Sequence, residues 1–365
     1  MTNTIITAPA ADLAQRSTGS LMQDFVSFID RGETTTRNYT ANLRHFAAYL
    51  AYKGVTDPKR EDVLGYRDWL MSEHDAIQLD STGKGWEYRT DSTGSRFTTI
   101  CKPATVRAYL QSVKQFYNWI GTQGGQNIAV GVHAPKVSTA HKKDSLTPDE
   151  VQSIENSIKD SSSSRTASIT EDSKDAAGKL QRSTEQGKRL YAMYMLAVTA
   201  GLRTVEINRA NVRDLQIRNG IPYLMVWGKG HTEADTKKPI AREVYDAVVE
   251  YLHSRTDNAP GNSPLFISTG NRSGGKRIAA DTIGRMLKKA MQDAGFDSDR
   301  LTAHSLRHTA IQTVMDLTEN IYTAQQYARH TSTAPTLMYL DNERVRQDAS
   351  TAEQVLAAYR TVSNF

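Results

Sequence analysis

Six side chains in the second half of this 365-residue chain could together cut and rejoin a phosphodiester: Arg203, Lys229, His304, Arg307, His330 and Tyr339. A phenol is ionised to only roughly one part in a thousand at neutral pH, a deficit of about 4 kcal/mol that neighbours must offset before it attacks phosphorus. Arg203 and Arg307 suit that task, because a guanidinium stays charged and its fork pairs two non-bridging oxygens as charge grows on them. Imidazoles titrate near neutrality, so His304 and His330 fit proton handling and hydrogen bonding at the attacking oxygen. Lys229 stands in the tight sequence Gly228-Lys229-Gly230 after the apolar run 221–227, placed to protonate a departing 5′ oxygen. Such a set needs no carboxylate cluster for a metal.

Alone, each piece has a plainer reading. Gly201-Leu202-Arg203 is a common helix-start sequence, Lys229 a solvated turn residue, and Tyr339 one of 16 tyrosines. His304 and His308 have the i, i+4 spacing of zinc ligands, but residue 305 is Ser where a metalloprotease helix carries Glu, and the single Cys101 offers no cysteine pair. No metal and no cofactor are expected.

Order and spacing reverse these odds through a resemblance. The succession Arg, Lys, His-x-x-Arg, His, Tyr resembles the tyrosine recombinase (phage integrase) family. Thr199-Ala200-Gly201-Leu202-Arg203-Thr204-Val205-Glu206 is similar to its first arginine box, with Glu206 one turn after Arg203 as a supporting residue. Trp227-Gly228-Lys229-Gly230 resembles the β-hairpin lysine, and Ala303-His304-Ser305-Leu306-Arg307-His308-Thr309 the most specific box, with His308 in support. The spacing from His330 to Tyr339 is that of the family's last histidine and its nucleophile. One departure stands out: where the family usually has Leu-Gly-His, this chain has Tyr327-Ala328-Arg329-His330.

The elements that must position these groups follow from periodicity and breakers. Residues 1–18 read as a flexible tail. Leu43, Phe46, Ala47 and Leu50 mark one helix, which Thr34 to Thr36 are expected to cap. Val63, Tyr66 and Leu70 mark another, and after Pro103 come Val106, Leu110, Val113, Tyr117 and Ile120. The resulting helical domain, 19–133, carries an insertion at 76–102 whose Trp86, Tyr88 and Phe97 alternate with Lys84, Arg89 and Arg96. That insertion reads either as a packed hairpin, the favoured reading, or as a stacking surface for nucleotides. A polar, basic linker spans 134–145. Thr147-Pro148-Asp149-Glu150 then opens a helix with cap, Pro and acids in order. Within the second domain, 146–340, a Ser-rich stretch at 161–186 reads as a mobile loop. Residues 190–200 read as a helix, 221–227 and 236–240 as strands, and 281–294 as a helix; 341–365 form a tail whose Val355, Leu356 and Tyr359 share an apolar face.

The expected fold is therefore mostly α with a small antiparallel β-sheet (α+β). The resemblance implies a helical core-binding domain and a mixed catalytic domain that clamp double-stranded DNA, with four identical protomers on two sites and the tail docked on a neighbour. Arg37, Arg107, Lys114, Lys142, Lys143, Arg285 and Lys288 are the candidate DNA contacts, consistent with a net charge of +5, which permits a polyanionic partner. The lone cysteine fits a reducing compartment, no apolar run is long enough to span a membrane, and Met1 to Ser20 lacks signal-peptide order, so a cytoplasmic, nucleoid-associated protein is expected. The implied activity is DNA strand exchange through a 3′-phosphotyrosine link, integrating or excising a mobile element, with accessory DNA-bending or directionality proteins as possible partners. A Xer-type enzyme resolving dimers is the alternative, and outside recombinases a type IB topoisomerase or a non-catalytic DNA-binding relative.

Overall fold

The structure, a computed structural model, describes residues 17–29, 32–83, 85–136, 145–169, 175–227, 233–270, 274–333 and 335–337. Contacts divide the chain into two units, Met1–Ser138 and Thr139–Phe365.

The first unit is a helical block of α1 (Thr18–Phe28), α2 (Glu33–Tyr52), α3 (Arg60–Met71) and α4 (Pro103–Thr122). Its core forms because α2 buries Leu43, Phe46 and Leu50, α3 buries Val63, Tyr66 and Leu70, and α4 buries Val106, Leu110, Val113 and Phe116, each set at helical spacing. The start of α2 differs from expectation: Gly32 is the N-cap, without a side-chain cap bond, and the helix already begins at Glu33. Between α3 and α4 the chain forms short antiparallel pairs, β1 (His74–Asp75) with β4 (Thr98–Thr99) and β2 (Ile77–Leu79) with β3 (Trp86–Tyr88). Trp86 meets Tyr52 of α2 edge-on at 4.8 Å, and Arg96 lies over Tyr88 at 3.6 Å. These aromatics pack on the helices and on their own arginines, which matches the packed-hairpin reading.

The second unit holds α5 (Pro148–Ala167), α6 (Ala176–Thr199), α7 (Thr204–Arg209), α8 (Arg242–Ser254), α9 (Ala280–Asp293), α10 (Ala303–Thr318) and α11 (Ile321–Ala328). A three-stranded antiparallel sheet, β5 (Leu215–Arg218), β6 (Ile221–Trp227) and β7 (Ala234–Pro239), has β6 in the middle. Helix α6 is the axis of the core: Ala192, Met193, Tyr194, Leu196 and Ala197 are all buried, so it is apolar on every side over its last turns. Thr147 caps α5 by accepting from the Glu150 N–H, while Glu150 accepts from the Thr147 N–H.

The stretch 161–186 departs from the loop expected of it. Helix α5 continues to Ala167 and α6 begins at Ala176, so both ends of the segment are helical. Low apolar content misleads here because the two helices approach through small residues: a Cβ on Gly187 would sit 1.8 Å from Ser162 Oγ and 2.8 Å from Ser162 Cβ. Gly187→Ala is therefore expected to destabilise this unit by about 1–3 kcal/mol as an overpacked contact, with Ser162→Gly recovering most of the loss. Denaturant melts of the single and double variants check this.

Candidate active site

The first arginine is set by the break that ends α6. Gly201 adopts φ +62, and a Cβ there would meet the Tyr327 ring at 3.3 Å and the Ala310 Cβ at 3.5 Å, so the turn both needs and fits glycine. Arg203 follows in extended backbone as the N-cap of α7. Glu206, 5% exposed, accepts from the Arg203 N–H at 2.8 Å and from Arg203 Nη1 at 2.9 Å, so one carboxylate fixes both backbone and guanidinium.

Arg307 on α10 is, among the described residues, the largest fully buried side chain, 1% exposed. Its Nη1 donates to the Gly201 carbonyl and its Nη2 to the Ala328 carbonyl, joining the turn before Arg203 to the end of α11. The Tyr327 hydroxyl strengthens that joint by donating to the Thr199 carbonyl. His304, one turn earlier on α10, is exposed, and its ring meets that of half-buried His308 at 4.6 Å and 83°.

Helix α11 ends at Arg329, which takes the left-handed conformation at φ +54. Glycine suits such a C-cap, which gives a physical reason for the Gly of the Leu-Gly-His pattern that this chain lacks. Arg329 Nη2 donates to Glu206 Oε2 at 2.6 Å. Lys238 of β7, 4% exposed, donates to the Tyr327 carbonyl at 2.9 Å and lies over the Tyr327 ring at 3.2 Å. Cations at the last carbonyls of a helix are favourably placed for its dipole. His330 comes next, with Nδ1 2.9 Å from the hydroxyl of Thr336, which is fully buried. The Thr336 and Leu337 N–H groups both donate to the Thr333 carbonyl, so this short turn brings the chain back to His330 just before Tyr339.

The charges act on one another. Burial, then Arg307, Arg203 and Arg329, pushes the His330 imidazole down to about 4, leaving it neutral at pH 7. Burial, then Arg329 and Arg307, lowers Lys238 to about 7, with Glu206 opposing. Burial alone would raise the Glu206 carboxyl, but Arg329, the Arg203 N–H and the charges of Arg203 and Arg307 hold it below its ordinary value.

Thus Arg203, Glu206, Arg307 and His330 form one electrostatic cluster. Arg203 and His304 line a groove of about 770 Å³ that continues along α9 past Gly284, Arg285, Lys288 and Lys289. Lys229 and Tyr339 lie outside the described residues, as do Lys142 and Lys143. Of the other candidate DNA contacts, Arg285 donates to Thr282 Oγ1 at 3.2 Å and Lys288 to the Ser298 carbonyl at 2.6 Å. Arg37 pairs with Glu33 at 3.0 Å, Arg107 is exposed and Lys114 half-buried on α4. Sequence reasoning missed Lys238, Arg329 and Thr336; only the departure at Arg329 carried a signal. Among the described residues no group of three or more His, Cys, Asp or Glu could hold a metal ion, and no helix is long and apolar enough to cross a membrane.

Comparison with known proteins places this arrangement. Residues 168–345 match the Phage integrase family. Tyrosine recombinase XerC of Vibrio parahaemolyticus is 27% identical over 318 residues, covering 86% of this chain and 84% of that protein. Among solved structures, XerH bound to palindromic difH substrate in a post-cleavage complex matches with a TM-score of 0.62 at 16% identity, over 94% of this chain and 87% of that one. The Tn1549 transposon integrase in complex with transposon right end DNA matches with a TM-score of 0.56 at 16% identity, over 92% of this chain and 99% of that one. The structures share the fold, the relative shares sequence over both units, and the family match spans Arg203 to Tyr339: residues 168–345 form a phage integrase family domain, and the chain is a tyrosine-type site-specific DNA recombinase.

Proposed function

We propose that this recombinase cuts and rejoins double-stranded DNA through a 3′-phosphotyrosine at Tyr339, with Arg203, Lys229, His304, Arg307 and His330 as the other reacting groups. The observation that carries the reading is the convergence of Arg203 and Arg307 on one buried carboxylate, Glu206, with both arginines acting on His330. A scissile phosphate entering there meets fixed positive charge in a partly dehydrated setting, where preorganised donors act most strongly on the transition state. The Tyr339 oxygen gives its proton to His304 as it attacks phosphorus, the bond to the 5′ oxygen breaks, and Lys229 supplies the proton that oxygen needs. A 5′ hydroxyl from a partner strand reverses the step, so bond energy is kept and no nucleotide cofactor enters. His330, neutral in the free enzyme, gains affinity for a proton once the phosphate offsets the neighbouring arginines, and so can donate a hydrogen bond to it. His308 supports His304 through the ring contact.

DNA is the partner. The groove along α9, with Arg285 and Lys288, supports contacts to flanking phosphates, and Arg37, Arg107, Lys114, Lys142 and Lys143 are assigned the same task. Four protomers assemble on two sites, with 341–365 docked on a neighbour, inside the cytoplasm and with accessory DNA-bending proteins where the site requires them. The biological role is integration and excision of a mobile element, in keeping with the fold shared with the Tn1549 integrase. A Xer-type role in resolving dimers is the second reading, favoured by the similarity to XerC.

Three outcomes are expected. With a nicked suicide duplex built on the site that the protein selects from random-sequence DNA, wild type accumulates a covalent complex and Tyr339→Phe accumulates none; trapping by the Phe variant contradicts the assignment. Lys229→Ala loses about a hundredfold to ten-thousandfold in cleavage rate, and a 5′-bridging sulfur, which leaves without protonation, restores it. Sequencing of covalently captured host DNA finds the ends of an integrated element on the first role and one chromosomal locus on the second.

A further inference from the structure

Arg329 and Lys238 stand in the active-site cluster without a part in the reaction described above. Both act on the last turn of α11, Lys238 through the Tyr327 carbonyl and Arg329 through its own backbone. Arg329 is the more telling. A left-handed φ of +54 is unfavourable for a side-chain-bearing residue by roughly 1–2 kcal/mol, and its Nη1 is buried without a hydrogen-bond partner. What this placement yields is the contact of its other nitrogen. That is Glu206 Oε2 at 2.6 Å, the same oxygen that accepts from the Arg203 N–H at 2.8 Å. The second oxygen of the carboxylate holds Arg203 Nη1 at 2.9 Å.

We propose that Arg329 is a positioning residue that locks the Glu206 carboxylate between the two ends of the site, orienting the Arg203 guanidinium with respect to His330. The inference rests on the phosphotyrosine reading above. The Arg203 side chain is 36% exposed, so a carboxylate free to rotate would let its guanidinium drift toward solvent, whereas one clamped by Arg329 cannot turn. Arg329 also sits immediately before His330 in sequence. It therefore couples the first arginine box to the final histidine through one side chain, beside the tie that Arg307 makes through backbone carbonyls. Arg307, Arg203 and Arg329 are the charges that act on His330, and the Thr336 hydroxyl fixes its Nδ1. Removing one of the three positive charges must shift the imidazole titration upward.

The test compares Arg329→Gly, Arg329→Asn and Arg329→Lys in the full-length protein. Gly and Asn both tolerate the left-handed backbone, so folding is not the obstacle. Four quantities are read: thermal midpoint, affinity for the selected duplex, single-turnover cleavage of the nicked duplex, and the His330 titration by NMR without DNA. The Gly and Asn variants should bind within about twofold of wild type yet cleave on the order of ten- to a hundredfold more slowly, as misplacement of a reacting group implies. Their His330 should titrate at higher pH than in wild type, and Lys should recover part of both effects. Wild-type cleavage in the Gly and Asn variants, an unshifted His330, or midpoint, affinity and rate falling in parallel would overturn the proposal. Absence of a covalent complex with wild type itself would instead count against the phosphotyrosine reading.

Discussion

A guanidinium cannot be buried without partners, and the rest of this site follows from how Arg307 meets that demand. An uncompensated charge in the interior costs several kcal/mol, so the carbonyls that receive Arg307 are as important as the arginine. They belong to Gly201 and Ala328, more than a hundred residues apart in sequence. The turn that presents Arg203 and the helix end that presents His330 are thereby built onto one side chain. Gly201 leaves room for the Tyr327 ring, and the Tyr327 hydroxyl reaches back to Thr199, which makes the same joint from the other side.

The second constraint is charge. Arg203, Arg307, Arg329 and Lys238 gather around a single carboxylate, Glu206. The excess is visible in its effects: His330 is held neutral, and Lys238 is lowered to about 7. A phosphodiester supplies the negative charge that such a cluster lacks. In the proposed reaction, the same excess that disfavours a proton on His330 in the free protein would favour the phosphorane-like transition state, because both respond to one fixed field. Substrate binding and the protonation of His330 are therefore linked.

Much of this was legible in the sequence because chemistry needs particular residue types at particular intervals. His304-Ser305-Leu306-Arg307-His308 could be read as one helical turn, and Gly201-Leu202-Arg203 as a helix start, and the structure has them so. The helices of the first unit were legible for a simpler reason: Leu43, Phe46 and Leu50, or Val106, Leu110 and Val113, repeat at the spacing of one buried face. Lys238 was not legible, since a lysine in a strand is ordinarily solvated and only the approach of α11 buries it. The stretch 161–186 reads as a loop in sequence because the packing there uses Gly187 and Ser162 in place of large apolar side chains. Arg329 lay between these cases: its sequence marked a departure from the family pattern, but only the positive φ and the bond to Glu206 gave that departure a meaning.

The proposed reaction depends on a particular covalent bond, from the Tyr339 oxygen to the phosphorus at a DNA 3′ end. The most direct measurement is to digest the protein–DNA adduct with protease and nuclease, identify the nucleotide-bearing peptide by mass spectrometry, and test whether the released strand begins with a 5′ hydroxyl. The expected result is a 3′-phosphotyrosine on Tyr339 and a free 5′ hydroxyl that polynucleotide kinase labels directly. An adduct on any other residue, including Tyr327, or a 5′-phosphoryl linkage, would contradict it.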